Sequence, residues 1–367
     1  MPYDWSTIEA LWLGDSRVAI PPSRLLDGFN TAESHLGVEW VERHRVTGDV
    51  VTMGSWATLP VAVTGLKLRA VESAPGFANL LSRLRANDSA AYSELSGSFL
   101  CIRGLNTIRL EFGAPVQVGE RTRRPDFRLA LGASVWTHVE VTTPNRSEAT
   151  RRAEALIQAI AERMMTLPAG ATIETLLLRD PSPEELERLV HKTIALATTK
   201  QVLTEEIGDL AIVTVNRLPP GIMEPQNYGR DLGHILGFAK GFVEGGVPNK
   251  TVSVRVPIVD QRAEGFLTTE ARQLPTHEPG LIMIDMTSVP GGFPEWEALL
   301  VRRLQPQIHT RVSAILLFHS GIRSTDEGEA IIPETRLIEN VHAVHRLPEW
   351  LRDQLVASSG VAFGSAA

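Results

Sequence analysis

Apolar positions along the 367-residue chain switch repeatedly between a period of two and a period near 3.6. That alternation predicts strands interleaved with helices, an α/β fold with a mixed central sheet flanked by helices. Residues 6–13 read as a short helix, and residues 50–71, rich in Val, Thr and Leu, as a pair of strands. Asn87 or Asp88 can cap a helix over residues 89–102, with Gly104 as its terminating glycine. Three strand-like pieces follow, at 107–112, 126–131 and 135–141. Ser147 and Glu148 then open a helix whose apolar positions Ala153, Leu156, Ile157, Ile160 and Met164 keep the helical period.

Farther along, strands are expected at 172–178, 210–215, 252–259, 280–286 and 312–318. Helices are expected at 182–196, 232–242, 268–273, 296–304 and 347–356. Trp136 falls at a period-two position and reads as core. This order divides the chain into an N-terminal region over 1–85 of unread role, a core over 86–206, and a C-terminal α/β region over 207–367 that extends or covers the core.

Composition narrows the function classes. With 43% apolar and 22% charged residues the chain is of globular type, and its longest apolar stretches are strand-sized, far below the ~18 residues that span a bilayer. The first residues lack the basic and apolar regions of a signal peptide, so a cytoplasmic location without membrane partners is expected. Cys101 is the single cysteine, which excludes an intramolecular disulfide and any multi-cysteine zinc site. A net charge of -7 argues against coating nucleic acid through bulk electrostatics. Locally the balance reverses: between Arg121 and Glu162 seven arginines face five acids.

That basic stretch surrounds the chemistry. Arg124-Pro125-Asp126-Phe127 starts one strand, and Glu140-Val141-Thr142 lies on the next. An antiparallel hairpin can bring both carboxylates to one end of the sheet, within reach of one divalent ion. Mg²⁺ keeps several waters and takes one or two carboxylates, and it can generate the nucleophile for phosphodiester hydrolysis. Other motifs are weaker. Residues 245–251 look like a phosphate loop, but Asn249 replaces the glycine before Lys250, and they read as a turn. No cofactor fingerprint is legible in residues 207–367.

The order helix with Glu94, hairpin with Pro125-Asp126, strand with Glu140-Val141-Thr142 and then a helix resembles the PD-(D/E)XK, restriction-endonuclease-like, nuclease superfamily over about 70 residues. The resemblance implies Asp126 and Glu140 as ligands of Mg²⁺ or Mn²⁺, with Glu94 as an auxiliary ligand. It implies catalytic roles for Asp126, Glu140, Thr142 and Gln158, Thr142 standing where the family carries a lysine. Arg121, Arg123, Arg124, Arg128, Arg151 and Arg152 would then contact phosphates of nucleic acid, DNA before RNA, with a homodimer or partner subunit supplying further contacts. Because Thr carries no charge, transition-state stabilisation should fall unless another cation moves in. Two readings therefore stay open: a metal-dependent nuclease, and a degenerate nuclease fold that binds nucleic acid or protein.

Overall fold

The structure is a computed structural model that describes residues 19–43, 59–105, 107–143, 171–179, 181–198, 203–217, 234–244, 247–258, 263–287 and 293–363. It is a mixed α/β protein of two compact units. One comprises Met1–Pro144, Arg262–Val289 and Phe293–Ala367, so the described helices before 86 and the described elements from 263 to 287 and from 293 onward pack with the 86–144 strands. The other is Asn145–Gln261 with Pro290–Gly292.

The first unit is built on a six-stranded sheet. Its strands are β1 (Ile108–Phe112), β4 (Phe127–Leu131), β5 (Thr137–Thr142), β11 (Gly280–Asp285), β12 (Ala314–Thr325) and β13 (Gly328–Glu339), in the spatial order β1-β4-β5-β11-β12-β13. β5, β11 and β12 run parallel, while β1, β4 and β13 pair antiparallel with their neighbours. β11 is buried along its whole length, as its unbroken Gly-Leu-Ile-Met-Ile-Asp run requires of a central strand covered on both faces. A small ribbon, β2 (Val116–Val118) with β3 (Arg121–Arg123), interrupts the path from β1 to β4.

Two helical layers cover the two faces. On one face lie α1 (Pro22–Leu36), α2 (Val38–Arg43), α3 (Leu59–Val71), α4 (Phe77–Arg85), α5 (Ser89–Ile102) and α9 (Glu349–Ala357), in one apolar cluster with Phe127, Leu129, Val139, Leu281 and Met283. α5 comes close to the sheet because its inward positions are small: a methyl on Gly97 would meet Met283 Sδ at 3.2 Å and Val141 at 3.4 Å. The other face carries α7 (Ala263–Ala271) and α8 (Phe293–Arg303), packed on Ile282, Ile284, Ile315 and Leu317.

The second unit holds a five-stranded sheet ordered β7-β8-β6-β10-β9, with β6 (Ala171–Leu177), β7 (Leu203–Ile207), β8 (Ala211–Arg217), β9 (His234–Glu244) and β10 (Val247–Ile258). Only the β6–β10 pair is parallel. Its helix α6 (Pro183–Thr198) is opened by a reciprocal cap in which Ser182 N–H donates to Glu185 and Glu185 N–H to Ser182 Oγ.

Several expectations are corrected. Residues 59–71 of the expected strand pair form α3 instead. Leu59, Val61, Ala62, Val63, Leu68 and Val71 are all buried because α3 packs against α1, α5 and β13, and a helix buried over most of its circumference shows only a weak helical period. The helix expected at 232–242 is β9, where Gly237 and Gly241 weaken a helix and antiparallel pairing with β10 supplies the backbone partners. Lys250 belongs to β10 rather than to a turn. Trp136 is half-exposed, just before β5. The helices expected at 6–13 and from 147 onward lie outside the described residues. Among the described residues, no helix is long and apolar enough to cross a membrane.

The tightest packing constraint is the crossing of α1 and α3. A methyl on Gly65 would land on the carbonyl oxygen of Gly28, and one on Gly28 would land on that of Ala62. Backbone atoms cannot swing aside as a flexible side chain would. Gly65→Ala is therefore expected to cost about 3 kcal/mol in denaturant unfolding, the upper range for overpacking. A loss below ~1 kcal/mol would show that the two helices separate at little cost.

Candidate functional site

The site forms where β4 begins and β5 ends. Phe127 pairs with Val139, so one more step of the antiparallel register sets Asp126 opposite Glu140. Two bonds fix Asp126: its carbonyl accepts from Gly113 N–H at 2.9 Å, and its Oδ2 accepts from Val141 N–H at 2.7 Å. Alternation along the strand points Glu140 toward the face covered by α7, and Glu140 is only 3% exposed. From α7, Glu270 reaches the same place, near the Thr142 hydroxyl, and accepts from the Gln273 side-chain amide at 3.2 Å.

Glu94 approaches from α5 on the other side of the sheet. The start of α5 is held by Asp88, which accepts from Ala90 N–H at 3.0 Å, after Asn87 turns the chain at φ +58°. Arg83, from α4, donates to Asp88 Oδ2 at 2.9 Å and to Glu94 Oε2 at 2.5 Å. One guanidinium thus ties the helix cap to the buried Glu94.

Electrostatically the group is overcrowded with carboxylates. Burial pushes Glu140 up to about 10, reinforced by the nearby charges of Asp126, Glu270 and Glu94. Burial and the Asp126 carboxylate push Glu94 up to about 8 against the pull of Arg83. Burial raises Asp126 to about 6, with the Val141 N–H and Arg83 pulling it back. Burial also raises Glu270. Glu140 Oε1 is buried with no hydrogen-bond partner. Such an oxygen costs on the order of 1–3 kcal/mol unless a proton, water or cation meets it.

Asp126, Glu140, Glu94 and Thr142, expected at one site, are thus brought together. Among the described residues no three His, Cys, Asp or Glu side chains stand ready to enclose a metal by themselves. Gln158, Arg151 and Arg152 lie outside the described residues. The other arginines are dispersed over β2, β3 and β4 and the turn between them. Arg121 and Arg123 sit on the β2–β3 ribbon, Arg124 donates to the Gly113 carbonyl at 3.0 Å, and Arg128 pairs with Glu111.

Two participants carried no sequence signal as part of the site. Arg83 lies in an N-terminal region whose chemistry is unreadable in the sequence, and Glu270 is 130 residues beyond Glu140. Apart from the site, Lys67 is buried on the α5 side of the sheet. It donates to Ser96 Oγ at 2.9 Å and is lowered to about 8 by burial, although Asp285 pulls it upward. Ser93 Oγ donates to Asp285 Oδ2 at 2.6 Å and lies 2.8 Å from the Thr143 hydroxyl, so polar contacts flank β5 on both faces.

Comparison with protein-family models, with curated proteins and with solved structures returns no match.

The raised carboxylates make a pH prediction. An acid whose folded pKa lies above its unfolded value of about 4 stabilises the fold fully below pH ~4, and that stabilisation is lost as pH rises through the folded pKa. Metal-free protein should therefore lose this contribution progressively as pH rises above ~4, the loss being complete at about pH 6 for Asp126, about 8 for Glu94 and about 10 for Glu140. Lys67, whose pKa is lowered, has the opposite slope above pH 8, and comparing parent with variant cancels it. In EDTA at pH 9–10, Glu140→Gln should raise the melting temperature by a few degrees, about 1–3 kcal/mol. Coincident parent and variant profiles across pH 5–10 would contradict the assignment.

Proposed function

We propose that the chain is a divalent-metal-dependent phosphodiesterase acting on nucleic acid, DNA before RNA, with Asp126 and Glu140 as ligands of Mg²⁺ or Mn²⁺. The observation that carries this reading is the buried, unpartnered Oε1 of Glu140, a residue that stands opposite Asp126 in the strand register with Glu94 and Glu270 close by. A divalent cation supplies the missing charge, and when bound it polarises a phosphoryl oxygen and acidifies a water. Further support comes from the order of elements. α5 carries Glu94, the β1–β4–β5 strands follow, and β11 lies parallel beside β5, an arrangement compatible with a PD-(D/E)XK-like core.

The chain's own residues have separable roles in this reading. Val141 N–H holds one Asp126 oxygen, leaving the other for the ion. Arg83 occupies Glu94 and keeps a positive charge near Asp126, which answers in part for the lysine that Thr142 replaces. Thr142 lies near Glu270, and its hydroxyl favours the ionised form of that carboxylate. The second reading, a degenerate fold that binds without cleaving, rests on Thr142 itself, since a hydroxyl cannot neutralise charge developing on the phosphate.

Titration calorimetry with Mg²⁺ and Mn²⁺, read beside cleavage of plasmid and single-stranded DNA, separates the two. Metal binding and cleavage are expected in the parent protein. Asp126→Ala and Glu140→Ala should each fold and lose cleavage by about 100-fold or more, while Thr142→Lys should raise it. Cleavage at parent rates by both alanine variants would overturn the site. A parent protein that neither binds metal nor cleaves would leave the binding-only reading.

A further inference from the structure

Between β1 and β4 the chain leaves the six-stranded sheet and returns to it through the β2–β3 ribbon, a separate two-stranded sheet. Its base is tied to the proposed metal ligand: Gly113 N–H donates to the Asp126 carbonyl at 2.9 Å, and Arg124 donates to the Gly113 carbonyl at 3.0 Å. Pairing sets Val116 opposite Arg123, Gln117 opposite Thr122 and Val118 opposite Arg121. Alternation then sorts the ribbon into two faces. Val116 is buried and Val118 half-buried, so the face they share rests on the protein, whereas Gln117 and Thr122 stand exposed on the other. Arg121 and Arg123 flank the valines, Arg121 exposed and Arg123 half-exposed.

These two arginines differ from others in the unit. Arg69, Arg83, Arg128 and Arg336 are each held by a carboxylate, whereas the guanidinium groups of Arg121 and Arg123 make no ion pair or hydrogen bond among the described residues. With Arg124, and against the single acid Glu120, residues 116–124 carry 3 - 1 = +2 in a chain whose net charge is -7. Cations left unneutralised on an acidic molecule suit an anionic partner. Across the exposed face, Gln117 Nε2 donates to Thr122 Oγ1 at 3.0 Å. That bond fixes the amide plane and leaves Gln117 Oε1 and its second N–H for another group.

We propose that the β2–β3 ribbon docks in the major groove of a DNA duplex, with Gln117 and Thr122 toward the base edges and Arg121 and Arg123 on the flanking phosphates. Two strands ~4.8 Å apart, with their side chains, match a groove about 12 Å wide, and three residues at ~3.4 Å each cover about three base pairs. A Gln amide can meet an adenine edge, a Thr hydroxyl meets any base, and Arg grips phosphate oxygens bidentately. An RNA helix offers a major groove too deep and narrow for side chains to read, and a single strand offers no groove. The proposal rests on the phosphodiesterase reading for its orientation, since the base of the ribbon is bonded to Asp126.

Binding measured without turnover tests the docking apart from the chemistry. A short fluorescein-labelled DNA duplex, and one of its strands alone, are titrated with the full chain in EDTA, with melting curves confirming that each variant folds. The parent protein should prefer the duplex. The double variant Arg121→Ala/Arg123→Ala should lower the salt slope by about 2 and weaken duplex binding roughly 10- to 100-fold at about 100 mM salt. Arg121→Ala alone, at an exposed position, should lower the slope by about 1 and gives a second readout should the double variant fail to fold. Arg352→Ala, on α9, should change neither quantity. Methyl green, which fills the major groove, should displace the protein, and netropsin, which fills the minor groove, should not. Equal affinity and slope in parent and arginine variants would overturn the proposal, as would displacement by netropsin alone, a preference for the single strand, or a parent protein with no duplex affinity. Ribbon-dependent duplex binding by a protein that cleaves nothing with Mg²⁺ would keep the docking and remove the phosphodiesterase. Cleavage by a protein whose duplex affinity ignores both arginines would do the reverse.

Discussion

Crowded negative charge at the junction of β4 and β5 is the constraint around which the first unit is arranged. Asp126 and Glu140 are set opposite each other by strand register, and Glu94 and Glu270 are added from helices on the two sides of the sheet. Ionised carboxylates buried at such spacing repel one another, and the desolvation of each adds to the cost. A fold can answer with protons, with fixed cations or with a bound ion. Here Arg83 is the fixed cation for Glu94, whereas Glu140 has no protein partner on one oxygen.

The remainder of the unit can be understood as support for that junction. Small residues on α5 let it settle on Val141 and Met283, which carries Glu94 to the edge of the site. The glycine crossing of α1 and α3 places a helix backbone where a larger residue would force it away, and Lys67 on α3 joins the polar contacts near Ser93 and Asp285. On the opposite face, α7 packs Leu267 and Ala271 into the apolar cluster and thereby holds Glu270 beside Thr142. Apolar packing contributes the stability that lets a locally unfavourable charge cluster persist.

Local signals made a good part of this legible in the amino-acid order. The capped helix over α5 and the strands β1, β4 and β5 were marked by Asp88, by Gly104 and by period-two alternation, and the pairing of Asp126 with Glu140 followed from hairpin geometry. What was hidden depends on contacts distant in sequence. α3 resembles a strand because burial over most of its circumference blurs the helical period, and β9 resembles a helix because its partner β10 is needed to define it. Glu270 and Arg83 have no short spacing to the hairpin that could announce them. Trp136 follows strand alternation and so reads as core, although it sits before β5 on an open part of the face, between two guanidinium groups.

On the proposed reading, buried carboxylates exchange protons for a divalent cation. Calorimetric titration of Mg²⁺ at pH 7.5 in two buffers of different ionisation enthalpy measures that exchange directly. Because Glu94 and Glu140 hold protons at this pH, binding should release about one proton or more per ion, seen as a heat that changes with the buffer. Mg²⁺ binding whose heat is the same in both buffers, or the absence of binding, would contradict the account.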